Sequence, residues 1–290
     1  MVRQSSDSQV FSFELFPPKT QEGMENLKVA VTALGAVRPR FFSVTYGAGG
    51  STRERTFAAV DWLRDQGLDT APHLSCIGSQ REEIREILNR YREQGIRRLV
   101  ALRGDLPSGM GLGDPGEFRY GNELVAFIRA ETGNWFHVEV AAYPEFHPKS
   151  RSALQDLRNF QRKVEAGASS AITQYFYNAD AYFRFVDQCR GLGMEIPVVP
   201  GIMPITNGNQ LLRFSDACGA EIPRWLRKRL EAYEDDLASI RALGEEVVTD
   251  LCRRLLEGGA PGLHFYTMNQ AGPSLKIWRN LGLPDRLPPP

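Results

Sequence analysis

Short apolar runs rich in Val, Ile, Phe and Tyr alternate along this chain with longer amphipathic stretches. Runs of this kind predict buried β-strands, and the stretches between them have the hydrophobic period of helices that bury one face. The predicted strands are Phe11–Phe16, Phe41–Thr45, Thr70–Cys76, Arg98–Leu102, Phe136–Ala142, Ala171–Phe176, Pro197–Ile202 and Gly262–Met268. The predicted helices are Glu22–Val37, Arg53–Gln66, Gln80–Gln94, Asn122–Thr132, Ser152–Ala166, Ala179–Leu192 and Gln210–Ala217.

This strict alternation predicts an α/β fold with parallel strands. Eight strand–helix units in roughly 250 residues favour a closed (β/α)8 TIM barrel, with an open doubly wound sheet as the structural alternative. A charged, helix-compatible stretch, Ile222–Gly259, predicts an extra helical insertion before the eighth strand. No Ser/Gly-rich linker divides the chain, so we expect residues 1–290 to form a single barrel domain.

Composition and charge narrow the choice of partners and compartment. The 290 residues carry 35 Lys and Arg against 35 Asp and Glu, so no excess positive charge favours nucleic acid. The first ten residues are polar, and no apolar run is long enough for a membrane span, so we expect a cytoplasmic protein with no membrane partner. The cysteines lack CxxC spacing and the histidines lack HExxH, so no metal is expected.

Glu14 is the first candidate for chemistry, because barrel enzymes carry their active sites at the carboxyl ends of the strands. By alternation it shares a face of the first strand with Ser12 and Phe16. An ionised carboxylate inside a strand costs free energy unless it is paired. Glu14 is therefore either a salt-bridged structural residue or a carboxylic acid with a raised pKa that donates a proton.

The other strand ends supply a mixed set of polar and aromatic groups. Gln174, at the sixth strand, can donate and accept hydrogen bonds, which suits the edge of an amide-like heterocycle. Asp156, Asn159 and Lys163 fall on one face of a helix, although a solvated polar stripe would look the same. A large, flat, phosphate-bearing ligand fits this set of groups, which comprises two candidate acids, imidazoles, cations, an amide and aromatic rings.

Several motifs resemble one known family, and they occur in family order from residue 11 to residue 269. They are Phe13–Lys19, Ser43–Gly50, Leu102–Asp105, Ala142–Glu145, Ala171–Gln174, Pro200–Pro204 and His264–Thr267. With these motifs the chain resembles the bacterial-type, flavin-dependent 5,10-methylenetetrahydrofolate reductases, which are (β/α)8 barrels. The resemblance implies a ping-pong oxidoreductase of one-carbon and methionine metabolism. NADH or NADPH gives hydride to FAD, and the reduced flavin reduces 5,10-methylenetetrahydrofolate to 5-methyltetrahydrofolate.

The resemblance also implies roles for individual residues. Glu14 would protonate N10 of the folate, so that its five-membered ring opens to an iminium ion, and Asp105 would favour that cation. Gln174 would hydrogen-bond the pterin, and Thr45 would contact flavin or nicotinamide. The residues implied to hold FAD are Thr45, Tyr46, Ala48, His73, Arg103, Gly104, Asp105, Tyr120, Tyr143, His147, Asp156, Asn159, Arg162 and Lys163.

Two departures from the family pattern concern the substrates. Gly208 stands where the family often has an aromatic residue, and Gln270 stands where a cation can follow the strand-eight motif. The contacts to nicotinamide and to the glutamate tail of folate therefore stay open. The resemblance further implies that no C-terminal regulatory domain for S-adenosylmethionine follows the barrel. We also expect a homo-oligomer.

Other functions are compatible with the same residues. One alternative is a flavin-free barrel that uses Glu14 and Asp105 in acid–base or methyl-transfer chemistry on a folate or pterin. The other is a non-catalytic folate- or flavin-binding barrel.

Overall fold

Parallel strands lie side by side in a nearly closed ring in the computed structural model, which describes residues 9–46, 52–104 and 116–287. The strands are β1 (Val10–Leu15), β2 (Phe41–Val44), β3 (Thr70–Ser75), β4 (Arg98–Leu102), β5 (His137–Ala142), β6 (Ser170–Thr173), β7 (Val198–Val199), β8 (Gly201–Ile202) and β9 (Gly262–Tyr266). The helices are α1 (Gln21–Gly35), α2 (Arg53–Asp65), α3 (Arg81–Glu93), α4 (Gly121–Thr132), α5 (Ala153–Glu165), α6 (Ala179–Gly191), α7 (Gly208–Cys218), α8 (Arg224–Ala232), α9 (Leu237–Glu257) and α10 (Ala271–Asn280).

The ring closes through one extended segment that is interrupted at Pro200. β7 and β8 are the two halves of the predicted strand Pro197–Ile202. β7 pairs with β6, and β8 pairs with β9, which in turn pairs with β1. Pro200 has no N–H to donate, but its carbonyl oxygen accepts the His264 N–H at 3.0 Å. The (β/α)8 barrel is thus confirmed, and the open doubly wound sheet is excluded.

Alternation along β1 explains which of its side chains face the barrel interior. Phe13 faces outward, where its ring lies 5.6 Å from the Phe265 ring and 6.2 Å from the Trp278 ring, between centroids. Because successive side chains of a strand point to opposite faces, Ser12 and Glu14 face inward. The apolar core therefore lies between the strands and the helices, and it leaves polar groups inside the barrel.

The helical insertion before the eighth strand is confirmed, but not all of the predicted stretch Ile222–Gly259 is additional to the barrel. α9 packs against both α6 and α10, so it occupies the seventh place in the ring of helices. The helices additional to the ring are α7 and α8. α9 begins at a cap, because the Asp236 carboxylate accepts hydrogen bonds from the backbone N–H groups of Ala238 and Ser239. In the described part of the chain no helix is long and apolar enough to cross a membrane.

Candidate active site

A cavity of about 460 Å³ opens over the carboxyl ends of β4 and β5. Many of the residues that the resemblance assigns to FAD line it together. They are Arg103, Gly104, Tyr120, Tyr143, His147, Asp156, Asn159, Arg162 and Lys163. The lining combines cations with aromatic rings and an amide, which suits a phosphate-bearing nucleotide.

The cations of this cavity come partly from α5. The N-cap of this helix is Ser152, whose hydroxyl accepts the Gln155 N–H. The Lys163 ammonium is half-buried in the cavity wall and donates to the Ala141 carbonyl oxygen at 2.7 Å. Burial lowers the pKa of Lys163 to about 8, although the nearby Asp156 carboxylate opposes that shift. Lys163 thus places a titratable positive charge on the cavity wall.

Asp156 holds the loop that follows β5. One of its carboxylate oxygens accepts the His147 backbone N–H at 3.0 Å, and the other accepts the Ser150 hydroxyl at 2.8 Å. Asp156 is buried, so the bonds to His147 and Ser150 offset part of the cost of burying its charge. The loop keeps Tyr143 and His147 in contact, with ring centroids 4.6 Å apart.

On the opposite wall, Gly104 follows Arg103 at the end of β4. Gly104 has a φ of +79°, and a side chain there would overlap the Ser75 hydroxyl and lie 3.0 Å from its Cβ. Only glycine fits this position without displacing β3. The Arg103 Nε donates to the Arg119 carbonyl oxygen at 2.9 Å, which directs the guanidinium along the cavity edge.

Glu14 lies inside the barrel mouth between two imidazoles. Its Oε2 is 3.4 Å from Nε2 of His73 and 3.5 Å from Nε2 of His264. The contact with His73 is electrostatic rather than an aligned hydrogen bond. On the far side of the His264 ring, Nδ1 is 2.7 Å from the Ser12 hydroxyl. Glu14, His264 and Ser12 therefore form a continuous chain of polar contacts.

One interpretation of the sequence is that Glu14 is a carboxylic acid with a raised pKa, and the structure differs from it. Burial alone raises the pKa of Glu14, as that interpretation requires. Hydrogen bonding from His264 and the electrostatic interaction with both imidazoles outweigh burial and lower the pKa to about 2. The pKa of Glu14 is therefore lowered rather than raised, and the geometry pairs its carboxylate with His264 and His73.

Tyr266, at the end of β9, completes the inner wall of the mouth. Its hydroxyl donates to the Thr173 carbonyl oxygen at 2.7 Å, beside the start of the loop that carries Gln174. Gly201 makes room for this ring, because a side chain there would lie 2.6 Å from a ring carbon of Tyr266. Sequence reasoning assigned no role to Tyr266, Ser12 or His264, although inward alternation on β1 and β9 could have indicated the last two.

Some residues implied by the resemblance lie away from the cavity or outside the described residues. His73 contacts Glu14 rather than lining the cavity. Thr45 and Tyr46 lie at the end of β2 and are also absent from its lining, while Gln174 borders a small pocket with Tyr143. Ala48 and Asp105 lie outside the described residues.

Gly208, which stands where the family often has an aromatic residue, is buried. Gly208 begins α7, and a Cβ there would be 3.8 Å from side-chain atoms of Leu230 and Ile240. The residue packs against α8 and α9. A Cβ at this position would make ordinary van der Waals contact, so a small side chain fits, while an aromatic ring would have to turn away from these helices.

A polar mouth on a (β/α)8 barrel, with a half-buried carboxylate at the strand ends and a cationic cavity over β4 and β5, places the protein in the TIM-barrel class. The family model for methylenetetrahydrofolate reductase matches residues 1–282. The chain belongs to that family.

Named relatives agree with this membership, and a solved structure shares the fold. The 5,10-methylenetetrahydrofolate reductase of Escherichia coli K12 is 40% identical over 273 residues, which cover 94% of this chain and 90% of the relative. A rice protein named probable methylenetetrahydrofolate reductase (NADH) is 38% identical over 286 residues, which cover 94% of this chain and 48% of the relative. A solved structure from Clostridium thermocellum, described as binding two copies of 5-methyl-5,6,7,8-tetrahydrofolic acid, shares the fold. It has a TM-score of 0.70 at 16% identity and covers 95% of both chains.

Proposed function

We propose that this protein reduces 5,10-methylenetetrahydrofolate to 5-methyltetrahydrofolate with NADH or NADPH, by way of bound FAD. Family membership supports the reaction named for its relatives. The proposal rests on two features at the carboxyl ends of the barrel strands. They are the Glu14 carboxylate and the cavity lined by residues assigned to FAD.

The residues of the cavity fit a flavin dinucleotide. Arg103, Arg162 and Lys163 supply cations for its pyrophosphate, and Tyr143 and His147 supply aromatic surface. When bound, FAD supplies a centre that accepts hydride from the nicotinamide and passes hydride to the methylene carbon of the folate. Thr45, Tyr46, Ala48, His73 and Tyr120 remain proposed contacts of the same cofactor.

Glu14 acts in the folate half-reaction by delivering a proton to N10. Because its own pKa is held at about 2, the carboxylate carries little proton at neutral pH. The imidazoles of His73 and His264 lie 3.4 and 3.5 Å from its Oε2, so a proton reaches N10 through one of them and Glu14. Ser12 keeps the His264 ring oriented through Nδ1. The roles of proton donor and paired carboxylate are therefore compatible in one residue.

The remaining roles concern orientation and charge. Gln174 presents its amide to the pterin ring, and Thr45 contacts flavin or nicotinamide. Asp105 follows the constrained Gly104, and its negative charge would favour the iminium cation formed on ring opening. We further propose a cytoplasmic homo-oligomer that serves one-carbon and methionine metabolism.

A visible spectrum of the purified protein tests the proposal. The protein should show flavin absorbance, which NADH should bleach under anaerobic conditions and 5,10-methylenetetrahydrofolate should then restore. Colourless protein that cannot be reconstituted with FAD would contradict it. Folate binding without flavin would favour the flavin-free barrel, and failure to pass electrons from NADH to a quinone would favour a non-catalytic binder.

A further inference from the structure

The loop after β9 lies against the last residues of β1, and polar contacts join the two segments. The Thr267 hydroxyl donates to the Glu14 carbonyl oxygen at 2.6 Å. The Asn269 side chain accepts the Phe16 N–H at 3.0 Å and donates to the Phe16 carbonyl oxygen at 2.9 Å. We name these contacts of Thr267 and Asn269 with Glu14 and Phe16 the β1–β9 clamp. Neither Thr267 nor Asn269 has a role in the reaction described above.

The β1–β9 clamp continues the sheet beyond its backbone ladder. At the end of the parallel ladder, the Thr267 N–H donates to the Glu14 carbonyl oxygen at 3.4 Å. In a regular parallel ladder the next bond would run from the Phe16 N–H to the Thr267 carbonyl oxygen. Here that oxygen accepts the Gln270 N–H instead, at 2.9 Å. The Asn269 amide thus takes the place of a peptide group, and it satisfies both backbone groups of Phe16.

The chain leaves the ladder through two consecutive residues in the left-handed region. Met268 has a φ of +51° and Asn269 a φ of +56°. Asparagine tolerates this region, whereas methionine adopts it at a cost in free energy. Such a conformation persists where several contacts fix it together. Besides its bonds to Phe16, Asn269 donates its backbone N–H to the Thr267 hydroxyl at 3.1 Å. The turn therefore holds the Asn269 amide against β1.

The β1–β9 clamp fixes the main chain on the carboxyl side of Glu14. The Glu14 carbonyl oxygen accepts two donors from Thr267, the hydroxyl and the N–H, so the peptide plane after Glu14 is held from the β9 side. The Glu14 carboxylate lies 3.4 Å from His73 and 3.5 Å from His264, and a small rotation of the main chain would separate these groups. Misplacing a reacting group by about 1 Å can slow a reaction about a hundredfold.

We propose, as an inference that rests on the proposed function, that Thr267 and Asn269 are positioning residues that aim the Glu14 carboxylate at the folate. They act through the main chain of Glu14 rather than on the folate itself. Their loss should therefore slow the chemical step of the folate half-reaction. Hydride transfer from NADH to the flavin needs no acid at Glu14 and should not depend on them. A purely structural role would instead reduce both half-reactions together.

The first test removes the Thr267 hydroxyl. Thr267→Val keeps the shape of the side chain, and we expect the maximal rate of flavin reoxidation by 5,10-methylenetetrahydrofolate to fall about tenfold. The folate concentration that gives half of that rate, and the rate of flavin reduction by NADH, should stay within about twofold of the wild type. Thr267→Ser keeps the hydroxyl and should recover most of the rate. Equal loss in both half-reactions, or a Ser variant as slow as the Val variant, would overturn the proposal.

The second test removes the Asn269 amide without disturbing the turn. Glycine adopts a positive φ freely, so Asn269→Gly keeps the backbone and loses the bonds to Phe16. The folate half-reaction should slow about tenfold, and hydrogen exchange at the Phe16 amide should accelerate at least about tenfold. The matched control is Arg38→Gly, at an exposed residue with a φ of +54° between α1 and β2. It should match the wild type in both measurements. An unchanged folate half-reaction in Asn269→Gly would refute the role of Asn269.

A titration separates this inference from the proposed function. Carbon NMR of the Glu14 carboxyl group measures its pKa in the resting protein, without any turnover. Thr267→Val should raise that pKa above the wild-type value, because the carboxylate moves away from His73 and His264 while burial still disfavours its charge. An unchanged pKa would overturn the positioning role. If the wild-type protein binds flavin but reduces no folate, the proposed function fails, and the comparison of pKa values still decides whether Thr267 positions Glu14.

Discussion

The carboxylate of Glu14 and the imidazole of His264 face each other inside the barrel at 3.5 Å, although 250 positions separate them in the chain. The contact exists because β1 and β9 are neighbours in the closed ring, with Ser12 paired to His264 and Glu14 paired to Tyr266. Closure of the barrel therefore determines the protonation of the residue on which the proposed reaction depends.

Replacing Glu14 with Gln should separate the two half-reactions. The amide cannot deliver a proton to N10, so folate reduction should fall by at least about a hundredfold. Transfer of hydride from NADH to the flavin needs no acid at this position and should stay within about twofold of the wild type. Stopped-flow absorbance of the flavin measures both steps.

The matched control for that change is Glu246→Gln, on an exposed part of α9. It should alter neither half-reaction. Equal loss of both half-reactions in Glu14→Gln would contradict the role of Glu14 as proton donor and would point to a structural role instead.

Replacing His264 with Asn should change the pH dependence of folate reduction. Asn can keep a polar atom near the Ser12 hydroxyl but removes Nε2, one of the two groups that lower the pKa of Glu14. Burial would then raise that pKa, and the imidazole that supplies the proton would be lost. We expect folate reduction to fall at least tenfold at pH 8 and less at pH 6. A uniform loss across this range in a pH–rate profile would argue against proton supply by His264.

Lys163 should make FAD binding depend on pH. Its pKa of about 8 means that the cavity loses a positive charge as the pH rises through that value. The Kd for FAD should therefore rise above pH 8. Lys163→Met should raise the Kd at pH 7 by about tenfold and should abolish this pH dependence. Titration of the apoprotein by flavin fluorescence measures both effects, and an unchanged pH dependence in the variant would exclude Lys163 as its source.

Glu139, at the amino end of the barrel, should contribute to stability rather than to catalysis. It is 2% exposed and contacts Arg98, His137 and Ser170. Burial raises its pKa, but the bond with His137, the charge of Arg98 and the Ser170 hydroxyl outweigh burial and lower it to about 2. Glu139→Gln leaves the Arg98 charge without its partner and should cost about 3 kcal/mol in the free energy of unfolding at pH 7.

The pH dependence of this loss follows from the lowered pKa. A carboxylate whose pKa is lower in the folded state stabilises the protein above its unfolded pKa, and the contribution is lost as the pH falls towards the folded value. The difference between wild type and Glu139→Gln should therefore be constant above about pH 5 and shrink in more acidic solution. Urea unfolding measures it. Glu86→Gln, at an exposed position on α3, should stay within about 0.5 kcal/mol at every pH.

Most of the fold could be predicted from the sequence, because burial of one helix face or of a whole strand leaves a local periodicity. The predicted strands lie where the barrel has them, and the differences are at their ends. The sixth strand ends at Thr173 rather than Phe176, and the eighth ends at Tyr266 because Met268 and Asn269 take positive φ values. Family membership was also predictable, since motifs at separate strand ends occur in order.

The candidate site was predictable only in part. Residues on one helix and the adjoining loops, such as Asp156, Lys163 and His147, meet in one cavity as expected. The surroundings of Glu14 were not predictable to the same degree, since His73 and His264 come from β3 and β9.

By itself, the sequence determined the order of the strands and helices, the barrel class and the identity of the polar groups at the strand ends. Each of these depends on local hydrophobic periodicity or on contiguous motifs. Only the tertiary structure decided that the Glu14 carboxylate lies between His73 and His264. The reason is physical: a pKa and an ion pair depend on distances of a few ångströms through space, and barrel closure sets those distances between residues far apart in the chain.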